Sequence, residues 1–137
     1  MTSQQCANCR FWDEGLVGHT GGGFITCCCA RFDADGTVTI ANAGHPSPYC
    51  DGREVEVEAG LPLGIAPGVE YAEFVTHGEQ FTLVSDGVVE AENAQRELFG
   101  FDRTREISGK SAQEIAEAAK AWGQNDDITV VTVRRSA

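Results

Sequence analysis

Apolar and polar positions along the chain fall first into a strand-rich stretch and then into a helix-bearing one. Phe24 to Phe32 is an extended apolar run, and Asp35-Gly36 after it is a tight-turn signal. Thr37 to Ala41 then alternates, with Val38 and Ile40 on one face and threonines on the other, so the two runs predict a β-hairpin. Pro48 to Val57 predicts a second hairpin, turned by Asp51-Gly52. Gly60 to Gly68 holds Pro62, Pro67 and Gly64 and reads as a connection. Glu79 to Ser85 and Ile128 to Val133 read as further strands. The last has β-branched residues on both faces, which predicts a strand covered on both sides within a layered sandwich.

Two helices are predicted. Ser111-Ala-Gln-Glu114 is a capping box, in which serine hydroxyl and glutamate carboxylate satisfy each other's orphan amides. Ile115, Ala118, Ala119 and Trp122 follow as one apolar stripe, and Gly123 supplies the stop. The other helix starts after Asp86 and runs through Val88, Val89 and Ala91. Adjacent hairpins followed by late helices predict an α+β layered fold. Gly18 to Gly23 is a flexible loop that sets off a short N-terminal segment, residues 1–21. Phe11, Trp12 and Leu16 would anchor a helix there between Gln5 and Leu16.

Composition narrows the function. The chain has 137 residues and a formal net charge of −11, from 21 acidic and 10 basic residues. Such a field repels polyanions, which argues against a nucleic-acid partner, whereas clustered carboxylates suit hard divalent cations. No apolar run reaches the roughly 18 residues of a membrane span and no secretory leader is present, so no membrane partner and a cytoplasmic location are expected. The cysteines are Cys6, Cys9, Cys27, Cys28, Cys29 and Cys50. Cys6 and Cys9 have zinc-knuckle spacing but lack a second pair, and His19 is the available extra ligand. Cys27 to Cys29 lie in an apolar run, where thiols act as small hydrophobes. Reduced thiols are the expectation.

Two acidic sites stand out by position. Asp86 lies just past the strand ending at Ser85, and Asp126 and Asp127 lie just before the strand starting at Ile128. If those strands pair antiparallel, the carboxylates share one rim of the sheet, where they repel unless a cation intervenes. Alone, Asp86 reads equally as a helix cap and Asn125-Asp126-Asp127 as a polar turn.

Their contexts carry more. SDGVVEAENAQRELFGFDR and GQNDDITVVTVRR, with GGFITC, DGTVTIANAGHPSPY and AGLPLGI upstream, resemble the motifs of the PPM metal-dependent phosphatases of the bacterial SpoIIE type. The resemblance runs from about Gly22 to Arg134. It implies that residues 22–137 form a β-sandwich flanked by helices, the C-terminal portion of such a domain, with two Mn²⁺ or Mg²⁺ ions at one end. It makes Asp86 and Asp126 metal ligands, supported by Asp127, Gly87 and His45. It also implies attack by a metal-activated water on phosphoserine or phosphothreonine of a phosphorylated regulatory protein, with no cysteine nucleophile. His45, in Asn42-Ala43-Gly44-His45-Pro46, is read as a hydrogen-bonding loop residue ahead of a general acid. Arg31, Arg53 and Arg103 are read as solvated surface cations.

One family element is missing from its expected place. An early G-D-x-S/A-G-H/K-G segment supplies the Asp shared by both ions, and here Gly15 to Gly21 is a faint echo with Leu16 in the Asp position. Asp13 and Glu14 have the wrong spacing. The chain is therefore expected to be an N-terminally truncated domain that binds metal weakly and turns over slowly, with open sheet edges that favour a homodimer. The alternative is a catalytically silent module that binds a partner on the same fold.

Overall fold

A computed structural model describes residues 23–136. They are α+β, with two four-stranded sheets and three helices among them. They divide into two compact units: residues up to His45 with Val57–His77, and Pro46–Glu56 with the residues from Gly78 on.

In the first unit, β1 (Cys27–Phe32) and β2 (Thr37–Ala43) form the expected antiparallel hairpin, with Phe32 opposite Val38 and Cys27 opposite Ala43. The turn closes through Asp33 N–H to the Thr37 carbonyl at 2.9 Å, and the Asp35 carboxylate accepts from Thr37 N–H at 2.9 Å. Val38 and Ile40 are buried, as their alternation requires. Two strands were not legible in the sequence. In the second of them, β6 (Glu73–His77), Phe74 and Val75 are exposed, so no alternation of apolar and polar residues marks it; it pairs antiparallel with β2. The first, β5 (Ala59–Gly60), adds a two-residue parallel contact to the end of β2. The 60–68 connection is pinned rather than loose: Ile25 and Leu63 exchange both backbone hydrogen bonds, at 2.9 and 2.8 Å.

In the second unit the sheet runs, in order, Arg53–Glu54 (β4), Tyr49–Cys50 (β3), Gln80–Val84 (β7) and Val130–Arg134 (β8). Strands β3 (Tyr49–Cys50) and β4 (Arg53–Glu54) are two residues each, and Val55 N–H to the Pro48 carbonyl at 2.8 Å extends the hairpin beyond them. Asp51 and Gly52 take φ of 49° and 79°, the left-handed pair that a two-residue turn of the primed kind requires. The Asp51 carboxylate also accepts from the backbone N–H of Gln80 at 2.9 Å, fixing the turn to the start of β7 (Gln80–Val84).

Among the described residues this unit has three helices, α1 (Asp86–Val89), α2 (Gly100–Ile107) and α3 (Ala112–Gly123), ahead of β8 (Val130–Arg134). The capping box of α3 forms as predicted, and its Ile115 and Ala119 are fully buried. They pack with Tyr49, Val84, Val88, Ala91 and Phe99, and Trp122, Ile128 and Val130 lean on that core. Helix α2 was not predicted because Phe101, its largest apolar residue, is exposed while Thr104 is the residue it buries. Arg103 is exposed, yet it is not a merely solvated cation. Its guanidinium lies 4.3 Å from the Trp122 ring centroid and donates to the Leu98 and Phe99 carbonyls at 3.1 Å.

The expectation that β8 is covered on both faces is not met. Val130 packs toward the core, but Val131 remains 48% exposed. Strand β8 ends the sheet order among the described residues, and α3 lies against it. A β-branched residue thus marks the pleated strand without marking which face is covered.

Candidate functional site

Strands β7 and β8 pair antiparallel from Gln80 opposite Arg134 to Val84 opposite Val130. Beyond Val84 the two segments that continue these strands stay in contact. Ser85 N–H donates to the Thr129 carbonyl at 2.9 Å, and Thr129 N–H donates to the Ser85 hydroxyl oxygen at 2.9 Å. The same hydroxyl donates to the Asp127 carbonyl at 3.3 Å. One step further, Gly87 is packed against the Asp127 backbone so closely that an added Cβ would collide with it. Asp86 and the Asp126-Asp127 pair therefore leave the sheet at the same end.

All three aspartates are exposed. Asp86 is the first residue of α1, and its Oδ1 accepts from Gly87 N–H at 3.0 Å. Asp126 Oδ1 accepts from Asp127 N–H at 2.7 Å, and the Asp126 carbonyl accepts from the Gln124 side chain at 3.1 Å. Each ligand candidate thus has one oxygen oriented by its neighbour's amide. Among the described residues, the ion pairs join Arg31 to Asp33, Arg96 to Glu92 and Arg105 to Asp102. None of these ion pairs involves Asp86, Asp126 or Asp127. Exposed hard oxygen donors at a shared edge fit Mg²⁺ or Mn²⁺ in kind. In number they supply part of a set, because no three His, Cys, Asp or Glu side chains among the described residues come together as a metal cluster.

His45 belongs to the other unit, just past β2. Its backbone N–H donates to Asn42 Oδ1 at 2.8 Å, and its carbonyl accepts from Asn42 Nδ2 at 2.7 Å. The buried Asn42 therefore shapes the Asn-Ala-Gly-His turn. Sequence reasoning did not single out Asn42 or Ser85; the signals present were a side-chain amide three residues before His45 and a hydroxyl beside Asp86.

Thiol chemistry has no foothold at Cys28 or Cys50. Burial, then the neighbouring Cys27 and Cys29, pushes the Cys28 thiol up to about 11. Burial, then Asp51, pushes Cys50 up to about 11 as well. Both stay protonated at neutral pH, as hydrophobic packing residues would. Cys6, Cys9, His19, Asp13, Glu14, the Gly15 to Gly21 echo and the Gln5 to Leu16 helix all lie outside the described residues.

The family model for stage II sporulation protein E (SpoIIE) matches residues 10–136. A solved structure of the PP2C phosphatase domain and a fragment of the regulatory domain of the cell fate determinant SpoIIE, from Bacillus subtilis, matches with a TM-score of 0.57. The two are 23% identical, and the match covers 80% of this chain and 37% of that one, a likeness of fold. No curated protein matches the chain. No helix among the described residues is long and apolar enough to cross a membrane.

Proposed function

The chain belongs to the SpoIIE family and has its PP2C-type phosphatase fold, and from that premise we propose that it is a metal-dependent phosphoserine/phosphothreonine protein phosphatase domain. Its substrate in this reading is a phosphorylated regulatory protein in a signalling pathway. The observation that supports the reading most is the β7–β8 register, which carries Asp86 and Asp126-Asp127 to one rim.

Asp86 and Asp126 hold Mn²⁺ or Mg²⁺ in this reading, each through the oxygen that its neighbouring amide leaves open. Asp127 adds negative charge beside them. When bound, such an ion supplies Lewis-acid polarisation of a phosphoryl oxygen and lowers the pKa of a water. The chain's own residues supply position and charge. Without a cation the rim repels a phosphate dianion, so the carboxylates make substrate binding conditional on metal. In this reading Asp86 and Asp126 are the ligand carboxylates and no third joins them among the described residues, so affinity for Mn²⁺ weaker than about micromolar is expected.

That same shortage favours a second reading, a module that binds a phosphorylated partner on this fold without hydrolysing it. Hydrolysis of p-nitrophenyl phosphate and of a phosphoserine peptide, with and without Mn²⁺, tests both. Mn²⁺-dependent turnover that Asp86→Asn abolishes supports the phosphatase. Binding of the phosphopeptide with no turnover at any Mn²⁺ concentration selects the silent module.

A further inference from the structure

We propose that Ser85 is a positioning residue for the cation rim, holding the 127–129 segment beside Asp86 through its hydroxyl. The proposal rests on the reading of that rim as an ion site.

In a regular antiparallel ladder, hydrogen-bonded partners exchange both backbone bonds. Ser85 and Thr129 do so only by half. Ser85 N–H donates to the Thr129 carbonyl, but Thr129 N–H donates to the Ser85 side-chain oxygen at 2.9 Å, where a backbone carbonyl would ordinarily accept. The Ser85 carbonyl is used elsewhere: it accepts from Val88 N–H at 3.1 Å and so opens α1. The hydroxyl thus stands in for the last rung of the ladder while the backbone already turns into the helix.

This substitution matters to the rim because of what lies on either side. Asp86 is the residue at which the chain turns, and the hydroxyl's own hydrogen reaches back to the Asp127 carbonyl at 3.3 Å. One side chain therefore ties the start of α1 to both Thr129 and Asp127. Ser85→Ala would leave Thr129 N–H without this acceptor and remove the hydroxyl's tie to the Asp127 carbonyl, leaving the segment held to α1 by the Ser85 N–H bond and the Gly87 packing alone. Groups that orient metal ligands commonly matter about 10- to 100-fold in affinity.

The test follows Mn²⁺ binding by paramagnetic broadening of amide signals, which reads weak, site-specific association without turnover. Wild type, Ser85→Ala, Ser85→Thr and Asp86→Asn are compared, with hydrogen exchange of the Thr129 amide measured in metal-free protein. Ser85→Ala is expected to weaken Mn²⁺ binding by about tenfold or more and to expose the Thr129 amide, while Ser85→Thr, which keeps the hydroxyl, stays within about twofold of wild type. Where the alanine variant does not fold, Ser85→Cys, with its weak acceptor, is read in the same way. Mn²⁺ binding that is intact in a folded Ser85→Ala or Ser85→Cys protein overturns this proposal alone. A wild type that shows no broadening beyond Asp86→Asn overturns the ion-site reading, and this proposal with it.

Discussion

Gly87 has no room for a side chain: a methyl group there would run into the carbonyl oxygen of Asp127. That close approach lets α1 begin immediately beside the 126–127 segment, so two stretches far apart in sequence present carboxylates at one edge. The glycine is required here by proximity, not by its backbone angles.

Gly87→Ala should therefore force the Asp127 backbone away. Overpacking of this kind costs typically about 1–3 kcal/mol, and urea titration of the variant should show a loss in that range. The nuclear magnetic resonance signals of Asp127 and Ile128 should move more than those of the α3 residues. A variant as stable as wild type, with those signals unchanged, would show that Gly87 and the Asp127 backbone are not in close contact.

The core makes a different demand. Ile115 is 0% exposed and belongs to the cluster joining α3 to β7 and α1. Ile115→Ala should cost about 2–5 kcal/mol, a large share of the stability of a domain this size. Ser111→Ala, which removes only the cap of the same helix, should cost about 1 kcal/mol. Paired denaturant titrations would check the ratio; equal losses would mean that the helix is held by its end rather than by its buried face.

How far the sequence revealed these features depended on whether each had a local signal. The α3 cap, its Ile115 stripe and the Asp51-Gly52 turn are set by residues within a few positions of one another, and all were readable. That Asp86 and Asp126 share a rim followed from the sequence only on the condition that β7 and β8 pair antiparallel, a pairing that no local residue pattern declares and that the structure supplies. Strand β6 and helix α2 were missed because Val75 and Phe101 face outward, so neither leaves a periodic apolar stripe. The Ser85 hydroxyl in place of a backbone acceptor has no sequence signature, because it exists only once Thr129 is opposite. Burial of one face of β8 and exposure of Val131 depend on what covers the sheet, which composition does not specify.

Thiol reactivity should separate folded from unfolded chain. Cys28 and Cys50, pushed up to about 11 by burial, carry on the order of 10⁻³ thiolate at pH 8, against roughly a quarter for an ordinary cysteine. Alkylation by iodoacetamide at that pH should be slower at both positions by on the order of 100-fold in native protein than in urea. Because the folded values are raised, the stability that these thiols contribute is fully present below about pH 8.5 and declines as pH rises toward 11. Rapid native-state labelling of Cys28, mapped by mass spectrometry, would contradict its placement.

At the acid end Asp35 and Glu114 are both held below their ordinary values, and Glu114 is the one that caps a helix. Its carboxylate accepts from the Ser111 hydroxyl at 2.6 Å and from Ser111 N–H at 3.0 Å, and these bonds hold it below the ordinary value of 4.5. A depressed folded value means that its contribution is present above about pH 4.5 and is lost as pH falls through the folded value. The first turn of α3 should therefore loosen in acid. Since α3 lies against β8, the strand that follows the Asp126-Asp127 rim should lose protection after that turn does. Glu114→Gln keeps an acceptor for the capping box but removes the titration. Following the Ser111 amide signal from about pH 6 down to about pH 2.5, the wild type should show a midpoint below 4.5 and the glutamine variant none. A wild-type midpoint at or above 4.5 would mean that the box is open in solution and that α3 depends on Ile115 and Ala119 alone.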